Sequence, residues 1–341
     1  MEYRPLGRSG VQVSALCLGC WMFGDRASPE ESRRIIGHAL DSGVNFFDTA
    51  NVYGGAPGRS ETIVGEALKN SGQRDKVVLG TKVFWPVDPD DPNGRGISRR
   101  HITEQLENSL RRLQTDHVDL YYLHRLDPDV PVDEPLRALD DLVSSGKVRY
   151  IGVSTTAAWQ FVESLWVSDR LSLNRFIAET PPYNILDRRI EKELIPMAQT
   201  FGVAVNPWAP VAGSLLTGIY KRGEEPPPGS RYAEERIATA YSRRLNEGVF
   251  DVTDVLAPLA ADKGCSLAQL ALAWVLGQPG VTSPITGPER LGDLEDSLGA
   301  LEVEITDTDR EQIDAVAAPT GMVSPFYEPD ADQFRPSRYR T

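Results

Sequence analysis

Val77-Val78-Leu79-Gly80-Thr81-Lys82, an amphipathic stretch from Ser98 to Leu113, and then Val118-Asp119-Leu120-Tyr121-Tyr122-Leu123-His124 form the passage that decides the fold. The two outer runs have strand length and are rich in β-branched and aromatic residues. Between them Ile102, Leu106 and Leu113 fall on one helical face, and Ser98 stands where an N-cap is wanted. Two strands joined through a helix run parallel, because the chain must cross back before the second begins.

The same unit recurs along the chain. Ala15 to Gly19, Asn45 to Asp48, Tyr150 to Val153, Arg175 to Ala178, Val203 to Asn206 and Thr282 to Ile285 read as further strands, which makes eight. Glu30 to Asp41, Ser60 to Asn70, Asp133 to Ser145, Thr156 to Val167, Arg189 to Phe201 and Leu291 to Leu298 carry apolar residues at helical spacing. Gly43, Gly146 and Gly202 follow helices where a left-handed cap is expected. Eight such units predict an α/β fold, a (β/α)8 barrel formed by residues 1–341 as one domain.

Two pieces fall outside the eightfold pattern. Residues 3–14 read as a β-hairpin around Gly7-Arg8-Ser9-Gly10, placed to close the bottom of the barrel. Residues 213–248, with Pro226-Pro227-Pro228-Gly229 at their centre, are expected to form a flap over the active-site face. The tail, residues 319–341, carries Phe326, Tyr327, Phe334 and Tyr339 and is expected to pack across the same face.

Bulk composition narrows the partners. The chain has 341 residues, 36 Lys+Arg against 49 Asp+Glu, and a formal charge of -13, a balance that repels nucleic acid and anionic membrane surfaces. A small-molecule substrate is the expected partner, and oligomeric state is not readable. Cys17 and Cys20 spell C-x-x-C, but Cys17 lies in the apolar run Leu16-Cys17-Leu18 and reads as strand core; no metal site is expected. Met1-Glu2-Tyr3-Arg4 opens no leader sequence and no run reaches membrane-spanning length, so a cytoplasmic protein is expected.

In a barrel of this kind catalytic groups stand at the C-terminal ends of strands. Asp48 closes Asn45-Phe46-Phe47, Tyr53 follows in the same loop, Lys82 follows Thr81, and His124 closes Tyr121-Tyr122-Leu123. Together they can move a proton to or from a carbonyl oxygen. A tyrosine titrates near pH ~10, and a nearby ammonium favours its phenolate, so Lys82 is read as tuning Tyr53. Asp48 then compensates Lys82, and His124 holds the carbonyl oxygen. Singly, Asp48 could be a helix cap, Lys82 a surface charge and Tyr53 loop packing. Jointly, their clustering at successive strand ends favours function.

Tyr3-Arg4-Pro5-Leu6-Gly7-Arg8-Ser9-Gly10, Phe47-Asp48-Thr49-Ala50 with Tyr53-Gly54, Gly80-Thr81-Lys82, Asp119 to His124, and Gly152-Val153-Ser154 resemble aldo-keto reductases over nearly the whole chain. The resemblance implies a TIM barrel, an NADP(H)-dependent oxidoreductase, and a catalytic tetrad on Asp48, Tyr53, Lys82 and His124 with Tyr53 as general acid. It implies cofactor contacts at Gly19, Cys20 and Trp21, at Asp48, and at Trp208-Ala209-Pro210-Val211, where Trp208 stacks on the nicotinamide. Gly213 and Leu215 belong to the loop implied to cover the pyrophosphate.

Several positions depart from the family pattern. Ser154-Thr155 and Thr180 stand where it usually has Ser-Asn and Gln for the carboxamide. After the eighth strand, Gly287, Glu289, Arg290, Asp293 and Ser297 occupy the region used for adenosine; Glu289 and Asp293 are expected to repel a 2′-phosphate and Arg290 to attract one. NADP and NAD both remain open as the cofactor.

For the substrate, Trp21, Met22, Phe23 and Trp85 supply aromatic or apolar wall beside Tyr53 and His124, and Arg125 reads either as a ligand contact or as a salt bridge to Asp127. Three functions remain. One is a nicotinamide-dependent reductase or dehydrogenase acting on an aldehyde, ketone or sugar-like substrate. Another keeps the tetrad for redox-neutral or internal-hydride chemistry. The third is a non-catalytic regulatory subunit of the potassium-channel type.

Overall fold

A computed structural model describes residues 1–327; the calls on Phe334 and Tyr339 lie outside the described residues. Strands β3 (Cys17–Gly19), β4 (Phe46–Asp48), β5 (Val78–Val83), β6 (Val118–Leu123), β7 (Val148–Ser154), β8 (Phe176–Thr180), β9 (Ala204–Val205) and β10 (Ile285–Thr286) form one parallel sheet. Its order is β10-β3-β4-β5-β6-β7-β8-β9. Parallel bridges Val205–Val281 and Trp208–Ile285 join the two ends, with Ile285 N donating to Pro207 O at 2.7 Å. The result is the (β/α)8 barrel, with all eight expected strands in place.

The hairpin is present as β1 (Tyr3–Pro5) paired antiparallel with β2 (Gln12–Ser14). It closes one end of the barrel: Leu6 and Val13 are fully buried and pack with Cys17, Phe46, Leu120 and Ala178. Gly7 makes that approach possible, with φ 56° and a position where a Cβ would stand 2.7 Å from Ile177 O.

Alternation along the strands separates two cores. On β6, Leu120 and Tyr122 face the barrel interior, while Tyr121 and Leu123 face the helices outside. Helices Pro29–Asp41, Arg59–Ser71, Arg99–Leu113, Asp133–Ser144 and Ala158–Leu171 cover that outer face. Ser98 caps its helix by accepting from His101 N at 3.3 Å, and Gly43, Gly146 and Gly202 all have positive φ.

Four helices among the described residues went unread in the sequence, one of them the short Glu235–Ala240 inside the expected flap. Glu247–Asp262 contains Pro258, which reads as a break. Leu267–Leu276 is apolar all round, with eight of its residues buried, so it shows no amphipathic period. Asp307–Val316 lies beyond the eighth unit and buries only two residues, Asp309 and Ile313. The predicted Arg189 to Phe201 helix is divided into a short turn, Arg189–Glu191, and a helix, Leu194–Phe201.

Tyr122 fills the middle of the barrel. Its ring lies where a Cβ on Gly152 would approach within 2.5 Å, and its hydroxyl accepts from Asn206 Nδ2 at 3.3 Å. Gly152→Ala is therefore expected to lower stability by about 2 kcal/mol through overpacking, read from urea unfolding. Unchanged stability would show that the interior has room to spare.

Candidate active site

The inward rows of β4, β5 and β6 build the site. Phe46 and Asp48 point inward on β4, and the register pairs Asp48 with Gly80 and Lys82 with Tyr122. Lys82 therefore stands one pleat above Asp48, and His124 one pleat above Tyr122. The Lys82 ammonium donates to Asp48 Oδ2 and, at 3.0 Å, to Thr49 O. It lies 4.9 Å from the centroid of the Tyr53 ring. Tyr53 is fixed by its backbone, N donating to Ala50 O at 3.2 Å and O accepting from Ser60 N at 3.1 Å. Its hydroxyl stands 3.2 Å from His124 Nε2.

Burial governs the protonation states. Burial would discharge Lys82, but the Asp48 carboxylate, with hydrogen bonding to Asp48 and Tyr53, outweighs it and holds the ammonium above its ordinary value. Burial raises the Tyr53 phenol, and Lys82 only partly offsets this. Desolvation outweighs the tuning by Lys82, so Tyr53 keeps its proton at neutrality, the state a general acid needs. Burial, with Lys82 and Arg125, pushes His124 well below its ordinary value, leaving a neutral imidazole.

These four side chains lie at one end of a cavity of about 1020 Å³ that runs toward the helix at Leu291–Gly299. Gly19, Trp21, Trp85 and Arg125 line it, as do Ser154, Thr155, Thr180 and the stretch Trp208-Ala209-Pro210-Val211 with Gly213. Gly287, Glu289, Arg290, Asp293 and Ser297 line its far part. Trp208 is oriented by its indole N–H, which donates to Thr155 Oγ1 at 3.0 Å. Thr155, Ala209 and Ser214 have positive φ without being glycine, so backbone strain is concentrated along this wall.

A nicotinamide dinucleotide fits this wall on its own evidence. Thr180 Oγ1 is buried without a hydrogen-bond partner, as a group awaiting an amide would be. Gly213 and Ser214, at φ 58° and 78°, give the left-handed backbone from which anion-binding concavities are made.

Glu289 does not stand alone against a phosphate. Its carboxylate accepts from Arg26 Nε at 2.7 Å and Arg231 Nη2 at 3.1 Å, and Arg26 also pairs with Glu234. This network ties the segment around Gly229 to Glu234 across the cavity mouth, with Arg26 Nη2 donating to Gly229 O at 2.7 Å. Asp293 Oδ2 accepts from the backbone N of Glu289 and Arg290, at 2.9 and 3.0 Å, and so caps its helix.

The side chains of Cys20, Leu215, Met22 and Phe23 are buried in the apolar core and do not line the cavity. Cys17 and Cys20 are free thiols, both buried, with burial raising each. No ion pair joins Arg125 to Asp127 among the described residues; Arg125 Nη1 donates to His124 O at 3.0 Å. Reading the sequence did not single out Arg26, nor Arg231, Tyr241 and Arg244 within the expected flap, since no motif marks them; Phe326, from the tail expected to pack across this face, lines the cavity.

A (β/α)8 barrel whose C-terminal mouth gathers Asp48, Lys82, Tyr53 and His124 over a dinucleotide-sized groove defines an aldo-keto reductase-like oxidoreductase. The chain belongs to the aldo/keto reductase family, whose model matches residues 15–318. It is 40% identical over 306 residues to a probable voltage-gated potassium channel subunit beta of Oryza sativa subsp. japonica, covering 89% of this chain and 92% of the relative. It is also 40% identical over 311 residues to an uncharacterized oxidoreductase, YrpG, of Bacillus subtilis (strain 168), covering 89% and 92%. A putative voltage-gated potassium channel subunit beta of Schizosaccharomyces pombe is 36% identical over 308 residues, covering 89% and 88%. Members of the family generally use NAD(P)H.

Glu179, beneath the cavity on β8, was also unread. Its Oε1 accepts from Thr156 N at 3.0 Å, its Oε2 has no partner, and burial pushes its carboxyl from about 4.5 up to about 8. A carboxyl raised in the fold contributes stability that is complete below its unfolded value and lost as pH rises through the folded one. Glu179→Gln is expected to stabilise the protein at about pH 8 and to change it little at about pH 4, by urea unfolding at both. A wild type and variant with parallel pH profiles would contradict this.

Proposed function

We propose that the protein reduces an aldehyde or ketone, or oxidises the matching alcohol, with a nicotinamide cofactor held along the groove and Tyr53 as the acid. The observation that carries this is the Tyr53 hydroxyl at the cavity floor, 3.2 Å from His124 Nε2, with its ring 4.9 Å from the buried Lys82 ammonium. When bound, the nicotinamide supplies the hydride that the carbonyl carbon accepts.

The chain's own residues do the rest. Trp208 gives the ring a flat face, and Thr180, Thr155 and Ser154 offer hydroxyls to the carboxamide. Tyr53 Oη gives its proton to the substrate oxygen, and Lys82 stabilises the phenolate that remains. Asp48 keeps Lys82 charged, and neutral His124 orients the oxygen. With Glu289 neutralised by two guanidiniums and Asp293 committed to a helix cap, the adenosine end is compatible with both NADPH and NADH.

A second reading, a regulatory subunit, draws support from the relatives described as potassium channel subunits. The two separate in one experiment. With either cofactor, Tyr53→Phe is expected to slow single-turnover reduction of 4-nitrobenzaldehyde by roughly a thousandfold while cofactor binding by fluorescence quenching persists. Unchanged turnover would remove Tyr53 as the acid; a wild type that binds cofactor and reduces nothing would favour the regulatory reading.

A further inference from the structure

We infer that the carbonyl substrate carries a carboxylate, and that Arg125 is the residue that receives it. This rests on the reductase reading above and adds the substrate class to it.

Arg125 follows His124 at the end of β6 and lines the cavity beside Tyr53 and Trp85. Its guanidinium lies 5.9 Å from the centroid of the Trp85 ring, and that ring lies 6.1 Å from the His124 ring. Among the described residues its one hydrogen bond is from Nη1 to the carbonyl of its own neighbour, at 3.0 Å, and its Nε is buried with no partner. No carboxylate among the described residues lies within ion-pair distance of it.

Among the other arginines of the wall, Arg290 stands in its far part, and Arg26, Arg231 and Arg244 are occupied. Arg26 and Arg231 are committed to Glu289, and Arg26 to Glu234 as well. Arg244 donates to Pro325 O at 3.0 Å and lies between the rings of Tyr241 and Phe326, 4.0 and 4.1 Å from their centroids. The carboxyl that acts on Arg125 through space is Glu179, and burial keeps that group largely protonated at neutrality.

A half-buried guanidinium whose Nε is buried with its hydrogen bond unmade carries a cost that a ligand completing the bond would remove. Its planar fork matches a carboxylate in two parallel bonds, and one uncompensated positive charge matches one negative charge. Because Arg125 and His124 both line the cavity and both flank the Trp85 ring, at 5.9 and 6.1 Å, the carboxylate sits within a few atoms of the carbonyl that His124 and Tyr53 hold. Trp85 gives the intervening part of the molecule a flat wall.

The test compares acids with their neutral methyl esters, phenylglyoxylate and 4-formylbenzoate each against its ester, in steady-state reduction by the cofactor-supplied protein. Wild type is expected to favour at least one acid in kcat/KM by roughly tenfold to a hundredfold, and Arg125→Met to abolish that ratio. Arg125→Lys, which keeps the charge and loses the fork, is expected to fall between. A merely structural role would lower acid and ester together and leave the ratio intact, which overturns the inference. Esters reduced as well as acids by the wild type would overturn it while leaving the reductase reading standing. If neither is reduced, the reductase reading fails, and binding of the same pairs to cofactor-loaded protein, followed by tryptophan fluorescence, decides: acid-selective binding lost in Arg125→Met supports the carboxylate site, and binding without selectivity overturns it.

Discussion

Lys82 and Asp48 are each only 3% exposed, and the rest of the site depends on the fact that neither can be charged there without the other. The desolvation of two such groups exceeds what most contacts return, so removing one partner of a buried pair typically costs about 3 to 5 kcal/mol. Here the pair is completed by Thr49 O, which takes a second ammonium proton at 3.0 Å. The strands make this possible: the register sets Asp48 beside Gly80, whose missing side chain leaves the interior open below Lys82. Tyr122, under both, supplies an aromatic floor 5.9 Å from the ammonium. The charge that would otherwise be expelled from a barrel core is thereby kept where Tyr53 meets it.

The loops use that fixed point differently. Tyr53 is protonated because burial outweighs the ammonium, which suits a group that must give a proton and then bear a negative charge beside Lys82. His124 is neutral because burial and two cations oppose its protonation. On the far side, Arg26, Arg231, Glu289 and Glu234 form an ion network that spans the mouth, with charges that sum to zero and backbone held at Gly229. The groove is thus bounded by a rigid proton site at one end and an ion-paired strap across its mouth.

Much of this was legible in the sequence because period and position carry it. Strand and helix alternation gave the barrel, and the polar residues ending β4, β5 and β6 marked Asp48, Lys82 and His124. Pairwise reasoning failed where the environment decides. Lys82 does pull Tyr53 downward as expected, but the depth of burial that outweighs it has no trace in local sequence. Glu289 looked like a bare negative charge, and its compensation comes from Arg26 and Arg231, 263 and 58 residues away. Cys20 and Leu215 sit next to cavity residues in the chain, yet they face the core, because neighbours on a strand or tight turn point in opposite directions. Leu267–Leu276 was invisible because a helix buried on all sides loses the period by which helices are recognised.

The central claim is that the Lys82-centred proton site serves net reduction rather than a redox-neutral exchange or a scaffold. The most direct test supplies the wild-type protein with a nicotinamide cofactor deuterated at both C4 positions and an unlabelled aldehyde, then reads the alcohol by proton NMR. One deuterium at the carbinol carbon for each cofactor oxidised is the result expected. Alcohol formed without deuterium, or no alcohol from protein that has bound the cofactor, would contradict it.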